Sequence, residues 1–154
     1  MEYWNTYKTK IGTLIIVENE DRISKIETVK TNMEYSKGEK VETRLIKKAY
    51  EQITEYLEGK RKEFTLPLLI KGTTFQEKVW NELLKIPYGE TKTYVEIAKK
   101  IGKEKASRAV GGACHNNPIM IVVPCHRVIG SNKKLVGYAG GLDIKEMLLK
   151  LEQK

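Results

Sequence analysis

The sequence predicts an α/β fold, in which a small antiparallel sheet with one helix is followed by a mainly helical domain. Short runs of β-branched and aromatic residues, separated by turn residues, fill the first 28 positions, a pattern typical of a strand meander. Further along, apolar residues recur at helical spacing in several segments. With 154 residues, the chain is long enough for one domain or two small ones, each with a hydrophobic core.

The N-terminal third is predicted to form three strands and a helix. The strands are expected over Glu2–Tyr7, Ile11–Glu18 and Arg22–Thr28, because turn residues separate these runs. An amphipathic helix is expected over Val41–Leu57, where apolar residues recur every three or four positions, and Gly59 follows its end. This part of the sequence therefore indicates an antiparallel sheet covered by one helix.

A second domain is predicted to occupy residues 70–154, after a first domain of residues 1–69. Apolar faces predict helices over Thr73–Ile86, Thr93–Ile101 and Lys105–Cys114. The last two are joined by a short turn that contains a glycine, which is the arrangement of a helix-turn-helix. A short strand and a closing helix are expected over Leu135–Tyr138 and Ile144–Leu151.

Basic residues are concentrated in the second domain. Residues 1–69 contain 13 Lys and Arg against 12 Asp and Glu, whereas residues 70–154 contain 15 against 8. This excess favours an anionic partner, with nucleic acid the first candidate, although a solubilising surface is the simpler alternative. No run approaches the ~20 apolar residues of a membrane span, the first residues do not resemble a signal peptide, and two cysteines do not make a disulfide scaffold. We therefore expect a cytoplasmic protein without a membrane partner.

Cys125 is the first candidate for a chemical role. The apolar run that ends at Val123 stops at Pro124 and is followed by Cys125, His126 and Arg127. Thiolate is the reactive form of cysteine and is favoured by basic neighbours, and a Cys-His pair oriented by a carboxylate is a general form of activated nucleophile. The carboxylates near the last helix are Asp143 and Glu146. Hydrolysis, redox chemistry and group transfer stay open at this point, as does a buried thiol without a task.

A second Cys-His pair, Cys114-His115, raises the question of a metal site. Four nitrogen and sulfur ligands suit a structural zinc, but adjacent ligands at the end of a helix cannot easily face one ion. A disulfide between Cys114 and Cys125 is a further alternative. A small buried side chain is the interpretation we favour for Cys114.

Arg108 lies in a segment of small residues, Ala106–Ala113. Small side chains allow a helix to approach another surface closely, so this helix suits either a DNA groove or a tightly packed core. In the first case Arg108 is the one long side chain that projects from the helix.

Taken together, these motifs resemble those of the O6-alkylguanine-DNA alkyltransferases. The resemblance rests on Pro124–Arg127, Arg108–Ala113, Asn117-Pro118, Tyr138–Gly141 and Lys145–Leu149 in this order. It covers residues 73–151 closely, whereas the N-terminal third is similar only in size and general character. The resemblance implies a ribonuclease H-like N-terminal domain and a C-terminal domain with a helix-turn-helix.

The resemblance implies direct reversal of DNA damage. An alkyl group on O6 of guanine, or less readily on O4 of thymine, is transferred irreversibly to Cys125, once per molecule. His126 is then expected to take the thiol proton through a water and Glu146 to orient His126. Asn117 is expected to brace the turn, and Tyr94 to donate a hydrogen bond to the base.

The resemblance also implies how the damaged base is reached. The base is flipped out of the duplex, the second helix of the helix-turn-helix enters the minor groove, and Arg108 fills the gap. The residues expected at the DNA are Arg108, Ala106, Ser107, Thr93, Gly111 and Arg127. Those expected in the base pocket are Tyr94, Val128, Tyr138, Ala139 and Met120.

No metal and no cofactor are expected. Some relatives in the family carry zinc in the N-terminal domain, but this chain has no Cys or His before residue 114. The expected partner is duplex DNA that contains O6-alkylguanine, and the expected state is a monomer. Two alternatives remain: a helix-turn-helix regulator that senses alkylation or oxidation through Cys125, and a cysteine hydrolase that turns over many times.

Overall fold

The computed structural model describes residues 1–29, 35, 37–132, 138 and 141–154. The chain divides into two compact units, Met1–Ile70 and Lys71–Lys154. Among the described residues, no helix is both long enough and apolar enough to cross a membrane. The strand predicted over Leu135–Tyr138 lies, except for Tyr138, outside the described residues.

The first unit contains a four-stranded sheet with the order β3-β2-β1-β4. The strands are β1 (Glu2–Thr9), β2 (Gly12–Asn19), β3 (Arg22–Thr28) and β4 (Glu39–Lys40). β1, β2 and β3 pair antiparallel, so the predicted meander is confirmed. β4 pairs parallel to β1 and was not predicted, because a two-residue strand carries no periodicity.

One helix, α1 (Arg44–Leu57), packs on β2. It begins later than predicted because Thr43 has an extended backbone and caps the helix, its hydroxyl accepting from the backbone N–H of Ile46 at 3.0 Å. The same hydroxyl donates to the buried carboxylate of Glu18 on β2 at 2.6 Å. Gly59 follows the helix with a φ of 77°, which suits glycine. The core members of this unit include Leu14, Ile16, Ile26, Ile46, Ala49 and Ile53.

The second unit is mainly helical, as predicted. Its helices are α2 (Thr74–Leu83), α3 (Tyr94–Lys100), α4 (Ser107–His115) and α5 (Leu142–Glu152). A short parallel pair links β5 (Lys92–Thr93) to β6 (Val128–Ile129). Since β5 leads directly into α3, this pairing brings the start of α3 next to the segment after Cys125. The predicted α/β class, with a helix-turn-helix in its second part, is confirmed.

Hydrogen bonds at the helix starts explain where the predicted boundaries were wrong. Thr73 and Thr93 are N-caps with reciprocal bonds to Gln76 and Glu96, so α2 and α3 begin one residue later than predicted. α4 begins at Ser107 rather than at Lys105, because the backbone N–H of Ala106 donates to the carbonyl of Lys103 in the preceding turn, at 2.8 Å. α4 is joined to α2 by the indole N–H of Trp80, which donates to the carbonyl of Ala113 at 2.8 Å.

Candidate active site

The chain before Cys125 is a tightly turned, buried segment. Ile121 has a φ of 72°, and the N–H of Val122 donates to the carbonyl of Met120 at 2.8 Å, which closes a three-residue turn. A β-branched residue in this region of the map is strained by about 1–3 kcal/mol. Pro124 follows with φ −82° and ψ 63°, and the N–H of Cys125 donates to the carbonyl of Val123 at 2.8 Å. Two consecutive tight turns therefore position Cys125.

Asn117 holds these turns together. Its side-chain amide donates to the carbonyl of Val123 at 2.8 Å and to Sγ of Cys125 at 3.2 Å. Its side-chain oxygen accepts from the backbone N–H of Ile119 at 3.0 Å. All three bonds are buried, so Asn117 lies where the predicted brace was expected.

The thiol of Cys125 is protonated in the resting protein at neutral pH. Cys125 is 1% exposed, and this burial raises the pKa of the thiol to about 11. The Asn117 amide and the positive charge of Lys145 act in the opposite direction and favour the thiolate. The structure therefore keeps the thiol unreactive while providing two groups that stabilise its ionised form.

His126 and Arg127 lie on a 3₁₀ turn over Cys125–Arg127. They form a buried cluster with Glu152 of α5. Nε2 of His126 is 2.7 Å from Oε2 of Glu152. Nε and Nη2 of Arg127 donate to Oε1 and Oε2 of Glu152 at 2.9 and 3.0 Å, and its Nη1 donates to the carbonyl of Ile86 at 2.6 Å. Burial lowers the pKa of His126, and so do the charges of Arg127 and Lys145, although Glu152 raises it. The ring is therefore neutral at pH 7.

Two predicted roles are contradicted by this cluster. Glu146 does not orient His126: it is exposed and forms an ion pair with Lys150 one turn along α5, at 3.0 Å. The residue in its place is Glu152, which lies on the buried side of the same helix. Arg127 does not reach the surface to bind DNA, because its guanidinium is buried and held by Glu152 and Ile86.

Lys145 is a residue of the site that was not predicted from the sequence. It is fully buried, and its Nζ donates to the hydroxyl of Tyr94 at 3.3 Å. Burial lowers the pKa of Lys145, whereas Cys125 and Cys114 raise it. The pKa of Tyr94 is raised by burial and by the two cysteines, so its hydroxyl keeps its proton at neutral pH.

Cys114 lies buried close to this site. Burial and Cys125 raise the pKa of its thiol to about 12, while Lys145 lowers it. Both cysteines are free thiols. His115 is exposed, and no group of three or more potential metal ligands occurs within the part of the chain that the structure describes.

The tight turns and the 3₁₀ turn over residues 121–127 together form the reactive turn, and the other residues predicted for the pocket lie around it. Met120 and Val128 are buried, and the ring of Tyr138 meets that of His126 edge-on, with the ring centres 6.4 Å apart. Ala139 lies outside the described residues.

The exposed side of α4 combines one arginine with small residues. Arg108 is exposed on α4, and Ser107 and Ala106 are half-buried at its start. A Cβ atom added at Gly112 meets no atom within 4 Å, whereas one added at Gly111 lies 3.8 Å from the ring of Tyr94. Gly112 therefore belongs to the open face, and Gly111, predicted at the DNA, faces inward. The side chain of Thr93 caps α3.

The chain matches two family models of 6-O-methylguanine DNA methyltransferase. The ribonuclease-like domain matches residues 2–70 and the DNA-binding domain matches residues 74–154. The chain is 47% identical to a methylated-DNA–protein-cysteine methyltransferase of Methanosarcina acetivorans, with 97% of each chain covered. It is 46% identical to the constitutive enzyme of that name in Bacillus subtilis, with 99% of this chain and 96% of the relative covered.

Solved structures agree with these matches. The structure resembles that of Mycobacterium tuberculosis OGT in complex with DNA, with a TM-score of 0.90, 40% identity, and 98% and 92% of the two chains covered. In this chain, the reactive turn with Cys125 and the neutral His126 lies within the residues that match the DNA-binding domain. The chain belongs to the 6-O-methylguanine DNA methyltransferase family.

Proposed function

We propose that this protein repairs DNA by moving an alkyl group from O6 of guanine, and less readily from O4 of thymine, to Sγ of Cys125. A bond forms between sulfur and the alkyl carbon, the bond from that carbon to oxygen breaks, and guanine leaves as an anion that takes up a proton. The observation that carries the proposal is the buried Cys125 thiol on its braced turn, beside His126 and Glu152. The thioether that results is not hydrolysed, so each molecule acts once.

The protonation states of Cys125 and His126 support this mechanism. With a pKa of about 11, only about one thiol in 10⁴ is ionised at pH 7, which corresponds to about 5 kcal/mol. Neutral His126 takes the proton through a water and becomes an imidazolium that Glu152 stabilises, while Lys145 and Asn117 stabilise the thiolate. Ionisation is therefore rare in the resting protein.

Tyr94 is the proposed donor to the leaving guanine. Its hydroxyl keeps its proton, since burial raises its pKa, and the Nζ of Lys145 lies 3.3 Å away. A protonated donor beside a buried amine suits the neutralisation of a departing anion. Met120, Val128, Tyr138 and Ala139 are proposed to line the pocket around it.

The DNA contact is proposed to use the exposed face of α4. A target atom inside the duplex stack requires base flipping, and exposed Arg108 is the long side chain suited to fill the gap. Ala106, Ser107 and Gly112 leave the helix backbone open to a groove, and Thr93 lies at the start of the neighbouring helix. Most of the affinity is expected from phosphate contacts, so binding falls with salt.

We assign residues 70–154 to DNA binding and alkyl acceptance, and residues 1–69 to support. We propose that the protein is a monomer. We also propose that it is cytoplasmic, in keeping with two cysteines that are free thiols. The regulator and hydrolase alternatives are not favoured, because the curated relatives are named as methyltransferases.

The test is intact-protein mass after incubation with duplex DNA containing O6-methylguanine. Transfer of one methyl group predicts a gain of about 14 Da, because methyl replaces a proton. The gain is expected once per molecule, to map to Cys125, and to be absent from Cys125→Ala. An unchanged mass, a gain that survives in Cys125→Ala, or many turnovers per molecule refutes the proposal.

A further inference from the structure

Arg127 occupies both oxygens of the Glu152 carboxylate. Its Nε and Nη2 donate to Oε1 and Oε2 at 2.9 and 3.0 Å, in the planar, two-pronged geometry that only arginine provides. Its third nitrogen, Nη1, is anchored on the carbonyl of Ile86 at 2.6 Å. The guanidinium therefore cannot rotate away without breaking three buried hydrogen bonds.

The remaining contact of Glu152 in this cluster decides the tautomer of His126. A carboxylate held by a guanidinium is ionised and can only accept hydrogen bonds. Nε2 of His126, 2.7 Å from Oε2, must therefore carry the ring proton. Nδ1 is then the basic nitrogen.

We propose that Arg127 is a positioning residue, which holds the Glu152 carboxylate in one plane and one charge state so that neutral His126 offers Nδ1 as the base. This inference rests on the proposed function, because the base is needed only for activation of Cys125. The resemblance implied that Arg127 contacts the DNA, whereas this inference assigns it to the activation of Cys125 through Glu152 and His126.

The charges around His126 set the expected direction. Glu152 and Lys145 face it from α5, Arg127 from its own turn, and the Tyr138 ring meets it edge-on. Burial, Arg127 and Lys145 lower the pKa of His126, and Glu152 raises it. Removal of the Arg127 charge takes away one of the influences that lower the pKa of His126, and burial and Lys145 remain to oppose Glu152. The pKa of His126 then rises, and the base is lost to protonation at a higher pH.

The experiment compares Arg127→Gln, Arg127→Lys and the wild type in single-turnover transfer from duplex O6-methylguanine. The DNA is saturating at every pH, so that the rate reports the chemical step rather than binding. In Arg127→Gln the acid limb of the rate profile is expected to move up by about one pH unit. Arg127→Lys keeps the charge and loses the planar fork, so its limb should move less while its rate falls. Lys150→Gln removes an exposed charge on α5, the helix that carries Glu152; it is the control and should follow the wild type.

A uniform fall in rate with an unmoved acid limb overturns the inference, because that is the signature of a purely structural arginine. If wild-type protein gains no mass from the DNA, the proposed function fails instead, so the two failures are distinguishable. A second measurement needs no variant: ¹⁵N NMR of the His126 ring in the wild type. A neutral ring with its proton on Nε2 at pH 7 supports the inference, and an imidazolium or a proton on Nδ1 overturns it.

Discussion

Substitution of Glu152 by Gln separates the carboxylate that the structure places at His126 from the one that the sequence predicted. Glu152 accepts hydrogen bonds from Arg127, from the N–H of Gly89 at 3.2 Å and from His126. A glutamine keeps the shape but replaces one acceptor oxygen by an NH₂ group that faces other donors. The negative charge that balances Arg127 is also lost.

The expected loss of stability is large. Removal of one partner from a buried ion pair leaves an uncompensated charge and costs about 3–5 kcal/mol. For a chain of this size, that corresponds to a fall in Tm of roughly 6–20 °C. The rate of alkyl transfer is expected to fall by about 10²–10⁴-fold, because His126 loses the group that orients it as a base.

Glu146→Gln is the matched control, on the same helix with the same chemical change. Its partner is Lys150 in an exposed pair, which is worth about 0.3–0.5 kcal/mol, so Tm and rate should barely change. The assays are thermal unfolding and single-turnover transfer, measured below the Tm of both variants. Equal effects of the two substitutions, or a larger effect at Glu146, refute the assignment of Glu152.

Three further predictions concern residues of α4, one of which is the buried thiol of Cys114. Arg108→Ala should slow transfer from duplex DNA far more than transfer from the free alkylated base; equal slowing argues against the gap-filling role. Gly112→Ala should raise stability by up to about 1 kcal/mol, because the new methyl group meets no atom within 4 Å, yet weaken DNA binding in a titration; unchanged binding removes Gly112 from the interface. Because the pKa of Cys114 is raised in the fold from 9.0 to about 12, the unfolded chain loses its proton first, so this thiol makes stability fall as pH rises above 9. Cys114→Ala should reduce that fall in the free energy of unfolding by up to about 1.4 kcal/mol per pH unit. The measurement is denaturant titration at pH 8 to 11. An unchanged dependence of stability on pH contradicts a buried, neutral Cys114.

Most helices and strands were predictable, because hydrophobic periodicity reports which side of an element is buried. The sequence missed the two-residue strands β4, β5 and β6, which are too short to show a period. The other errors are at the boundaries, where one or two hydrogen bonds decide. The capping hydroxyls of Thr73 and Thr93 each move a helix start by one residue. A Thr can also be the first helical residue, so the sequence alone does not distinguish a cap from a first turn.

The carboxylate in the site was predicted wrongly although the correct signal was present. Lys145, Leu148 and Glu152 follow one another at three- and four-residue spacing and lie on the buried side of α5. A lysine and a glutamate on an apolar helix face indicate buried charges that need partners. Glu146 is one residue from Lys145, about 100° around the helix, and so it faces solvent.

The sequence by itself determined the family and the helix-turn-helix and indicated Cys125 as the candidate acceptor, because these depend on residue types at fixed local spacing. Only the tertiary structure decided which charges meet: Glu152 with His126 and Arg127, and Lys145 with Tyr94. Those pairs are between 25 and 51 residues apart in the chain. Local patterns do not encode contacts over such separations, whereas the energy of a buried charge depends on how near its partner lies in space.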